Sequence, residues 1–106
     1  MELRHLRYFM TVAQEQSFTK AAEKLYTAQP SLSQQIKDLE HEVGVALFDR
    51  TTRKVILTDE GLAFQKYAEL TLENAKQAIA AARQVAQQKN NQIHIGFLNV
   101  AELKLM

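Results

Sequence analysis

The sequence predicts a mainly α-helical fold, in which a helix-turn-helix is followed by a two-stranded hairpin and then by one long helix. Two apolar patterns with helical spacing meet across a short break, the first starting at Phe18 and the second passing Lys37. Short runs rich in β-branched and aromatic residues follow within residues 47–58, and a helical pattern then continues over residues 59–89. Neither helix of the pair can bury its apolar stripe alone, so we expect the two to pack against each other.

Length and composition narrow the function classes. The 106 residues are 46% apolar and 24% charged, as in an ordinary soluble globular chain, so we expect one small domain with something attached, or a fragment. The sequence has no cysteine, no targeting pattern and no apolar stretch of membrane-spanning length, which favours a cytoplasmic location. Its three histidines are far apart, and no glycine-rich loop or serine-centred elbow is present. We therefore expect neither an enzyme nor a metal or cofactor site.

Local signals set the helix boundaries. Leu3–Gln14 carries an amphipathic pattern and predicts the first helix. Ser17 is the expected N-cap of the second helix, and either Thr27 or Gln29 caps the third. Gly44 predicts the end of the third helix, because glycine readily adopts the left-handed conformation found there.

The third helix begins without acidic residues. Helix N-termini usually collect Asp and Glu, but the first acid here is Asp38. Free N–H groups beside neutral side chains suit phosphate contact and base-edge recognition. Alternatively, these side chains only solvate an exposed face, with Ser31 and Gln34 forming a capping box. Both interpretations stay open from the residues alone, and they concern Gln29, Pro30, Ser31, Ser33, Gln34, Gln35 and Lys37.

The hairpin is predicted from Leu47–Arg50 and Lys54–Thr58, joined by residues 51–53. Such a hairpin is marginally stable alone and must pack on the helices. Arg53 lies at its tip, whereas Arg50, at a strand end, is interpreted as an ion-pair or capping residue.

The long helix is expected to start after Thr58 and to end near Lys89, before Asn90 and Asn91 break it. Ile93–Phe97 then alternates like a half-buried strand, and residues 99–106 are expected to be poorly ordered. Apolar residues recur along the helix at alternating spacings of three and four, a pattern typical of a coiled-coil seam between two copies of the chain. A solvated linker is the alternative. The seam comprises Leu72, Ala75, Ile79, Ala82 and Ala86.

The stretch from Thr27 to Gly61 resembles the LysR-type transcriptional regulators. The opening, MELRHLRYF, also resembles the branch of that family that regulates breakdown of aromatic compounds. The matching residues are Phe18, Ala21, Ala22, Leu25, Gln29, Pro30, Ser33, Ile36, Leu39, Glu40, Gly44, Leu47, Phe48, Arg50, Arg53, Leu57, Thr58 and Gly61.

The resemblance implies an organisation. Residues 1–58 would form a winged helix-turn-helix DNA-binding domain, with the helix-turn-helix over 18–37 and the wing over 47–58. Residues 59–89 would form a linker and dimerisation helix. Residues 90–106 would form a hinge and the start of a truncated effector-binding domain, which in the complete protein would bind a small-molecule inducer.

The implied function is sequence-specific binding of double-stranded DNA by a homodimer or higher oligomer such as a tetramer, on an AT-rich pseudo-palindromic operator. Gln29, Ser33 and Gln34 would contact base edges. Pro30 and Ser31 would make close contacts, Lys37 a phosphate contact and Arg53 a minor-groove contact. The competing hypothesis is a winged helix used for protein–protein assembly. It is favoured by a net charge of only +1, with eight basic against nine acidic residues over 1–60.

Overall fold

The computed structural model describes residues 1–97, and the side chains of residues 1–90. Within this part of the chain, helices dominate and one antiparallel two-stranded sheet is present, which confirms the predicted fold class. In chain order the elements are α1 Leu3–Glu15, α2 Phe18–Lys24, α3 Gln29–Val43, β1 Phe48–Asp49, β2 Ile56–Leu57 and α4 Asp59–Phe97.

The core lies where the first three helices meet the hairpin and the start of α4. Phe9 of α1 is fully buried, and its ring centroid lies 5.1 Å from that of Phe48 and 5.0 Å from that of Phe64. These aromatic pairs, each worth about 1 kcal/mol beyond the area they bury, join α1 to β1 and to α4. The buried residues are Leu6, Phe9, Val12, Ala21, Ala22, Leu32, Ile36, Leu39, Leu47, Phe48 and Ala68.

Side-chain caps begin α2 and α4 as predicted. The hydroxyl of Ser17 accepts a hydrogen bond from the Lys20 backbone N–H at 3.1 Å. The hydroxyl of Thr58 accepts one from the Gly61 N–H at 2.9 Å and donates to the Ala46 carbonyl at 2.7 Å. Thr58 therefore both starts α4 and ties it to the loop before β1.

The predicted caps of α3 are wrong. Its N-cap is Ala28, which forms no side-chain cap hydrogen bond. Thr27 lies one residue too early, and its backbone N–H closes the end of α2 by bonding to the Ala22 carbonyl at 3.0 Å. Gln29 is already the first residue of α3. At the other end the prediction holds, since Gly44 has φ 91° and its N–H bonds to the Glu40 carbonyl at 2.8 Å.

The hairpin strands pair antiparallel in the register Phe48 to Leu57 and Asp49 to Ile56. Each strand has two residues, fewer than the sequence predicts. Tertiary bonding explains the difference, because the Val55 N–H donates to the Gln16 carbonyl at the end of α1, at 3.1 Å. A donor used in this way cannot extend the ladder.

Gly61 allows the first turn of α4 to approach the loop before β1. A Cβ atom at this position would lie 2.1 Å from the carbonyl oxygen of Leu47 and 3.0 Å from the Cδ2 atom of Leu57. Backbone cannot move aside as a side-chain tip can, so the packing of helix and hairpin requires glycine here.

The chain divides into two compact units, Met1–Leu72 and a second that begins at Glu73. Helix α4 continues to Phe97, so the break predicted at Asn90 and Asn91 and the strand predicted over 93–97 are wrong. A strand needs a neighbouring strand for its N–H and C=O groups, whereas a helix bonds its own backbone. The expectation for residues 99–106 lies outside the described residues. No helix in the described part of the chain is long and apolar enough to cross a membrane.

Candidate nucleic-acid interface

The first turn of α3 presents its backbone without a side-chain cap or an acid. Ala28 has φ −72° and ψ 139°, no cap hydrogen bond is formed by its side chain, and Pro30 lies in the first turn. The first-turn N–H groups of a helix have no partner within the helix, and the positive end of the helix dipole adds to their attraction for an anion. This end of α3 can therefore hold a phosphate oxygen.

Most side chains proposed from the sequence to contact DNA lie on one exposed face. The opposite face of α3 is buried through Leu32, Ile36 and Leu39. Ser33 is half-buried, between the two faces. The exposed members of the set are Gln29, Pro30, Ser31, Gln34 and Lys37.

Two glutamines of this helix already have hydrogen-bond partners. The Gln34 amide donates to the Asp38 carboxylate at 2.9 Å. The alternative capping box of Ser31 and Gln34 is not formed, because the N-cap is Ala28 and Ser31 lies inside α3. The Gln35 carbonyl oxygen accepts from Nε of Arg4 at 3.2 Å, which connects α1 to α3. The Gln34 amide keeps its own oxygen and one N–H to recognise a base.

Glu40 fixes the hairpin to α3. Its carboxylate accepts hydrogen bonds from the backbone N–H groups of Leu47 at 2.8 Å and Phe48 at 3.1 Å. It also pairs with the Arg50 guanidinium at 3.1 Å, and that guanidinium lies 4.9 Å from the centre of the Phe18 ring. The ion-pair interpretation of Arg50 is confirmed, and the pair joins the hairpin to both α2 and α3.

Arg53 lies in the loop between the strands and is exposed. The start of that loop is ordered by Asp49, whose carboxylate accepts the Thr51 hydroxyl at 2.6 Å and the Thr51 N–H at 2.9 Å. The hydroxyl bond first, and the N–H bond second, lower the pKa of Asp49 below its usual 3.8. The loop that carries Arg53 is thus held by bonds local to the hairpin.

Several basic side chains near the paired helices are neutralised within the fold. Lys24 pairs with Glu15 at 2.8 Å, and Arg4 pairs with Glu2 at 3.3 Å. Lys37 and Arg53 take part in no ion pair among the described residues. Unpaired basic side chains therefore remain on α3 and on the hairpin, although α3 itself carries three acids, Asp38, Glu40 and Glu42, against Lys37.

The predicted seam on α4 is exposed along most of its length. Ile79 is 55% exposed, and Ala82 and Ala86 are exposed as well. Leu72 instead packs partly against the core of the first unit, and Ala75 is half-buried. Other exposed apolar residues of α4 were not singled out from the sequence, since they fall outside the three-and-four spacing: Leu62, Tyr67, Leu70 and Val85.

Sequence reasoning missed two further residues. Glu40 was recognised as part of a family resemblance but not as the acceptor that fixes the hairpin. Tyr26 lies in the short break between the two helical patterns, and the structure gives it φ 54° and an exposed fraction of 97%. The available signal is an aromatic residue three positions before a helix start that contains proline.

A helix-turn-helix combined with a two-stranded hairpin that is fixed to the exposed helix defines the winged helix-turn-helix class. Residues 3–62 match the bacterial regulatory helix-turn-helix proteins of the lysR family. The chain belongs to this family, which confirms the resemblance seen in the sequence.

Relatives with known names and structures agree with this assignment. The Hca operon transcriptional activator HcaR of Escherichia coli is 54% identical over the whole chain, which covers 36% of that protein. The regulator BenM of Acinetobacter baylyi is 50% identical over 92% of the chain and 32% of BenM. The chain thus spans about a third of the length of these transcriptional regulators. The crystal structure of the BenM DBD in complex with catB site 1 DNA matches with a TM-score of 0.78, at 52% identity, over 81% of this chain and 97% of that one.

Proposed function

We propose that this chain binds double-stranded DNA in a sequence-specific manner, as the DNA-binding part of a bacterial transcriptional regulator. The observation that carries the proposal is the uncapped, acid-free start of α3, exposed beside Lys37 and next to a hairpin carrying an exposed Arg53. A helix of this kind fits the major groove, and a basic wing tip fits an adjacent minor groove where AT-rich sequence narrows it.

The roles proposed for individual residues follow from exposure and chemistry. Gln34 and Gln29 are exposed amides able to bond base edges, and the half-buried Ser33 would contact a base edge through its hydroxyl. Lys37 is a cation without an ion pair among the described residues and would contact a phosphate. Pro30 and Ser31, exposed in the first turn, would lie closest to the groove floor or backbone, and Arg53 would enter the minor groove.

We propose that two copies of the chain pair through α4. Ile79, Ala82 and Ala86 leave an apolar strip uncovered on a helix that the domain itself cannot bury. Small alanines permit close helix approach, and a two-fold pair would present two copies of α3 to a pseudo-palindromic site. A tetramer would require further contacts from the longer protein.

The role of the longer protein is also a proposal. Its relatives are roughly three times the length of this chain, so a further domain would follow α4 and respond to a small-molecule inducer. Control of aromatic-compound breakdown is supported by the opening residues of the chain. Binding DNA in a bacterium implies a cytoplasmic location, and neither catalysis nor a cofactor belongs to this proposal.

The competing function is a winged helix that assembles with another protein. It is favoured because Glu15 neutralises Lys24 and Glu2 neutralises Arg4. The remaining positive charge is smaller than that of a protein that binds DNA regardless of sequence. DNA affinity would then come from few contacts or be absent.

Fluorescence anisotropy separates the two functions. The 106-residue chain is titrated onto a duplex carrying an AT-rich inverted repeat and onto a scrambled duplex, at several salt concentrations. The DNA-binding proposal expects tighter binding to the repeat with two chains per duplex, and a logarithm of affinity that falls linearly with the logarithm of salt concentration. Absence of binding at low salt would support the assembly function instead.

Two substitutions test the roles within α3. Gln34→Ala should cost about 1–3 kcal/mol on the preferred duplex and little on the scrambled one, because it removes a base contact. Lys37→Ala should weaken both complexes and reduce the salt slope by about 1, because it removes a phosphate contact. Gln77→Ala, which removes an exposed glutamine of α4 outside the proposed interface, is the matched control and should change neither. Equal weakening of both complexes by Gln34→Ala would show that this residue does not read bases.

Sedimentation velocity tests the pairing. Ile79→Glu places a charge on the apolar strip and should shift the chain towards monomer, whereas Gln84→Glu adds the same charge to an exposed polar position of the same helix and should not. If both variants stay dimeric, the pairing surface lies elsewhere.

A further inference from the structure

Tyr26 occupies a backbone position that ordinarily favours glycine. It follows Leu25, the C-cap of α2, and has the left-handed φ of 54°. Its N–H bonds to the Glu23 carbonyl at 3.2 Å, and the Thr27 N–H bonds to the Ala22 carbonyl at 3.0 Å. These two bonds form a Schellman motif, in which the left-handed residue is usually glycine because a Cβ atom is strained there.

The side chain of Tyr26 makes little contact within the described part of the chain that could offset this strain. It is 97% exposed, the highest value among the exposed large apolar residues in the described part of the chain. None of the aromatic contacts within the described residues involves its ring. Neither burial nor stacking therefore explains a tyrosine here, whereas a contact outside the chain would.

The position of Tyr26 identifies that contact. The residue lies in the turn between α2 and α3, and the exposed residues 28–31 follow it almost directly. Side chains within α3 are placed to reach base edges, whereas a side chain just before the helix lies towards the rim of the groove, where the phosphates are. Tyrosine hydroxyls are among the donors that proteins use for phosphate oxygens.

We propose that the Tyr26 hydroxyl donates a hydrogen bond to a backbone phosphate beside the groove that α3 enters. This inference rests on the proposed DNA-binding function and adds a contact to it. The contact is neutral, so it contributes affinity without adding positive charge, in a protein whose net charge is only +1. It positions the helix-turn-helix on the duplex and carries no base preference.

The test uses Tyr26→Phe, which keeps the ring and the backbone strain and removes only the hydroxyl. Kd on both the AT-rich repeat and the scrambled duplex should rise by about tenfold, the usual scale for one hydrogen bond to a charged group. The salt slope should stay that of the unsubstituted chain, because a neutral donor releases no counterions. Tyr67→Phe, at a tyrosine of α4 that is 64% exposed, is the matched control and should leave Kd unchanged.

A second variant separates binding from folding. Tyr26→Gly should raise the folding equilibrium constant by about threefold in urea denaturation, because it relieves the left-handed strain, while DNA binding weakens as in Tyr26→Phe. A gain in stability together with a loss of affinity is the result expected of a binding residue.

The outcomes that overturn the inference are distinct from failure of the proposed function. If the unsubstituted chain binds both duplexes and Tyr26→Phe binds them equally well, the phosphate contact does not exist. The exposed Tyr26 would then be assigned to contact with a protein partner. A less stable Tyr26→Gly would show that the tyrosine serves the fold. If the unsubstituted chain binds neither duplex, the DNA-binding function and this contact are both wrong.

Discussion

Removing the Glu40 side chain should release the wing from α3. In Glu40→Ala the backbone N–H groups of Leu47 and Phe48 lose their acceptor, and the Arg50 guanidinium loses its partner. The Glu40 side chain is only 13% exposed, so water replaces it poorly, whereas Arg50 at 32% is more accessible and can rehydrate.

The magnitude follows from those contacts. Leaving a buried N–H group without a partner costs about 1–3 kcal/mol, and these two are partly buried, so the lower half of that range applies to each. The half-accessible ion pair adds at most about 1 kcal/mol. We expect a total loss of about 2–5 kcal/mol, a large share of the roughly 5–15 kcal/mol that stabilises a typical domain.

Urea denaturation followed by far-UV circular dichroism measures this loss, with all variants at one protein concentration so that any dimerisation contributes equally. Glu40→Gln can place its amide oxygen where Oε2 accepts both N–H groups, so it should lose only the ion pair, about 1 kcal/mol. Glu42→Ala is the control on the same helix, since Glu42 is 53% exposed and, among the described side chains, pairs only with the N-terminal ammonium group at 2.8 Å. It should change the free energy of unfolding by less than about 0.5 kcal/mol. Equal losses of unfolding free energy in Glu40→Ala and Glu42→Ala would refute the reasoning, because water would then be replacing Glu40 as the acceptor for the two N–H groups.

Two other predictions concern the glycines and the wing loop. Gly61→Ala should destabilise the domain by about 3 kcal/mol, because its methyl group would overlap the Leu47 carbonyl. The Cβ atom of Gly44→Ala meets no atom within 4 Å, so this variant should cost only about 1 kcal/mol of left-handed strain. Thermal denaturation distinguishes the two variants, and equal losses of stability would contradict the steric explanation. Thr51→Val should raise the pKa of Asp49 towards 3.8, because the larger of the bonds that lower it is the Thr51 hydroxyl. The pKa of Asp49 is lower in the folded than in the unfolded chain, so its bonds to Thr51 stabilise the fold above pH 3.8, and this stabilisation is lost as pH falls through the folded-state pKa. A carboxyl NMR titration in which Thr51→Val leaves the pKa of Asp49 unchanged would contradict the assignment.

The helices and most of their ends could be predicted because the signals are local. The Ser17 and Thr58 caps and the Gly44 terminus each depend on groups within a turn of one another, and the sequence displays them side by side. The expected exposed face of α3 also follows from helical periodicity, and the exposure of Gln34 and Lys37 agrees with it. Their roles in DNA binding stay predictions, since contacts with DNA are not decided by periodicity.

Errors arose where a distant backbone group competes for a hydrogen bond. The wing strands are short because the Val55 N–H bonds to the Gln16 carbonyl at the end of α1. Residues 93–97 alternate like a strand but continue α4, since alternation does not supply the neighbouring strand that a sheet requires.

The sequence by itself determined the order of the elements as far as α4 and the neutral start of α3, because periodicity, caps and composition are properties of residues close in the chain. The family was indicated by the resemblance of the stretch from Thr27 to Gly61. Only the tertiary structure decided that Glu40 holds the wing, that Gly61 is needed against Leu47, and that Tyr26 is strained and exposed. These features depend on distances between segments that are brought together by folding, and no spacing along the chain records them.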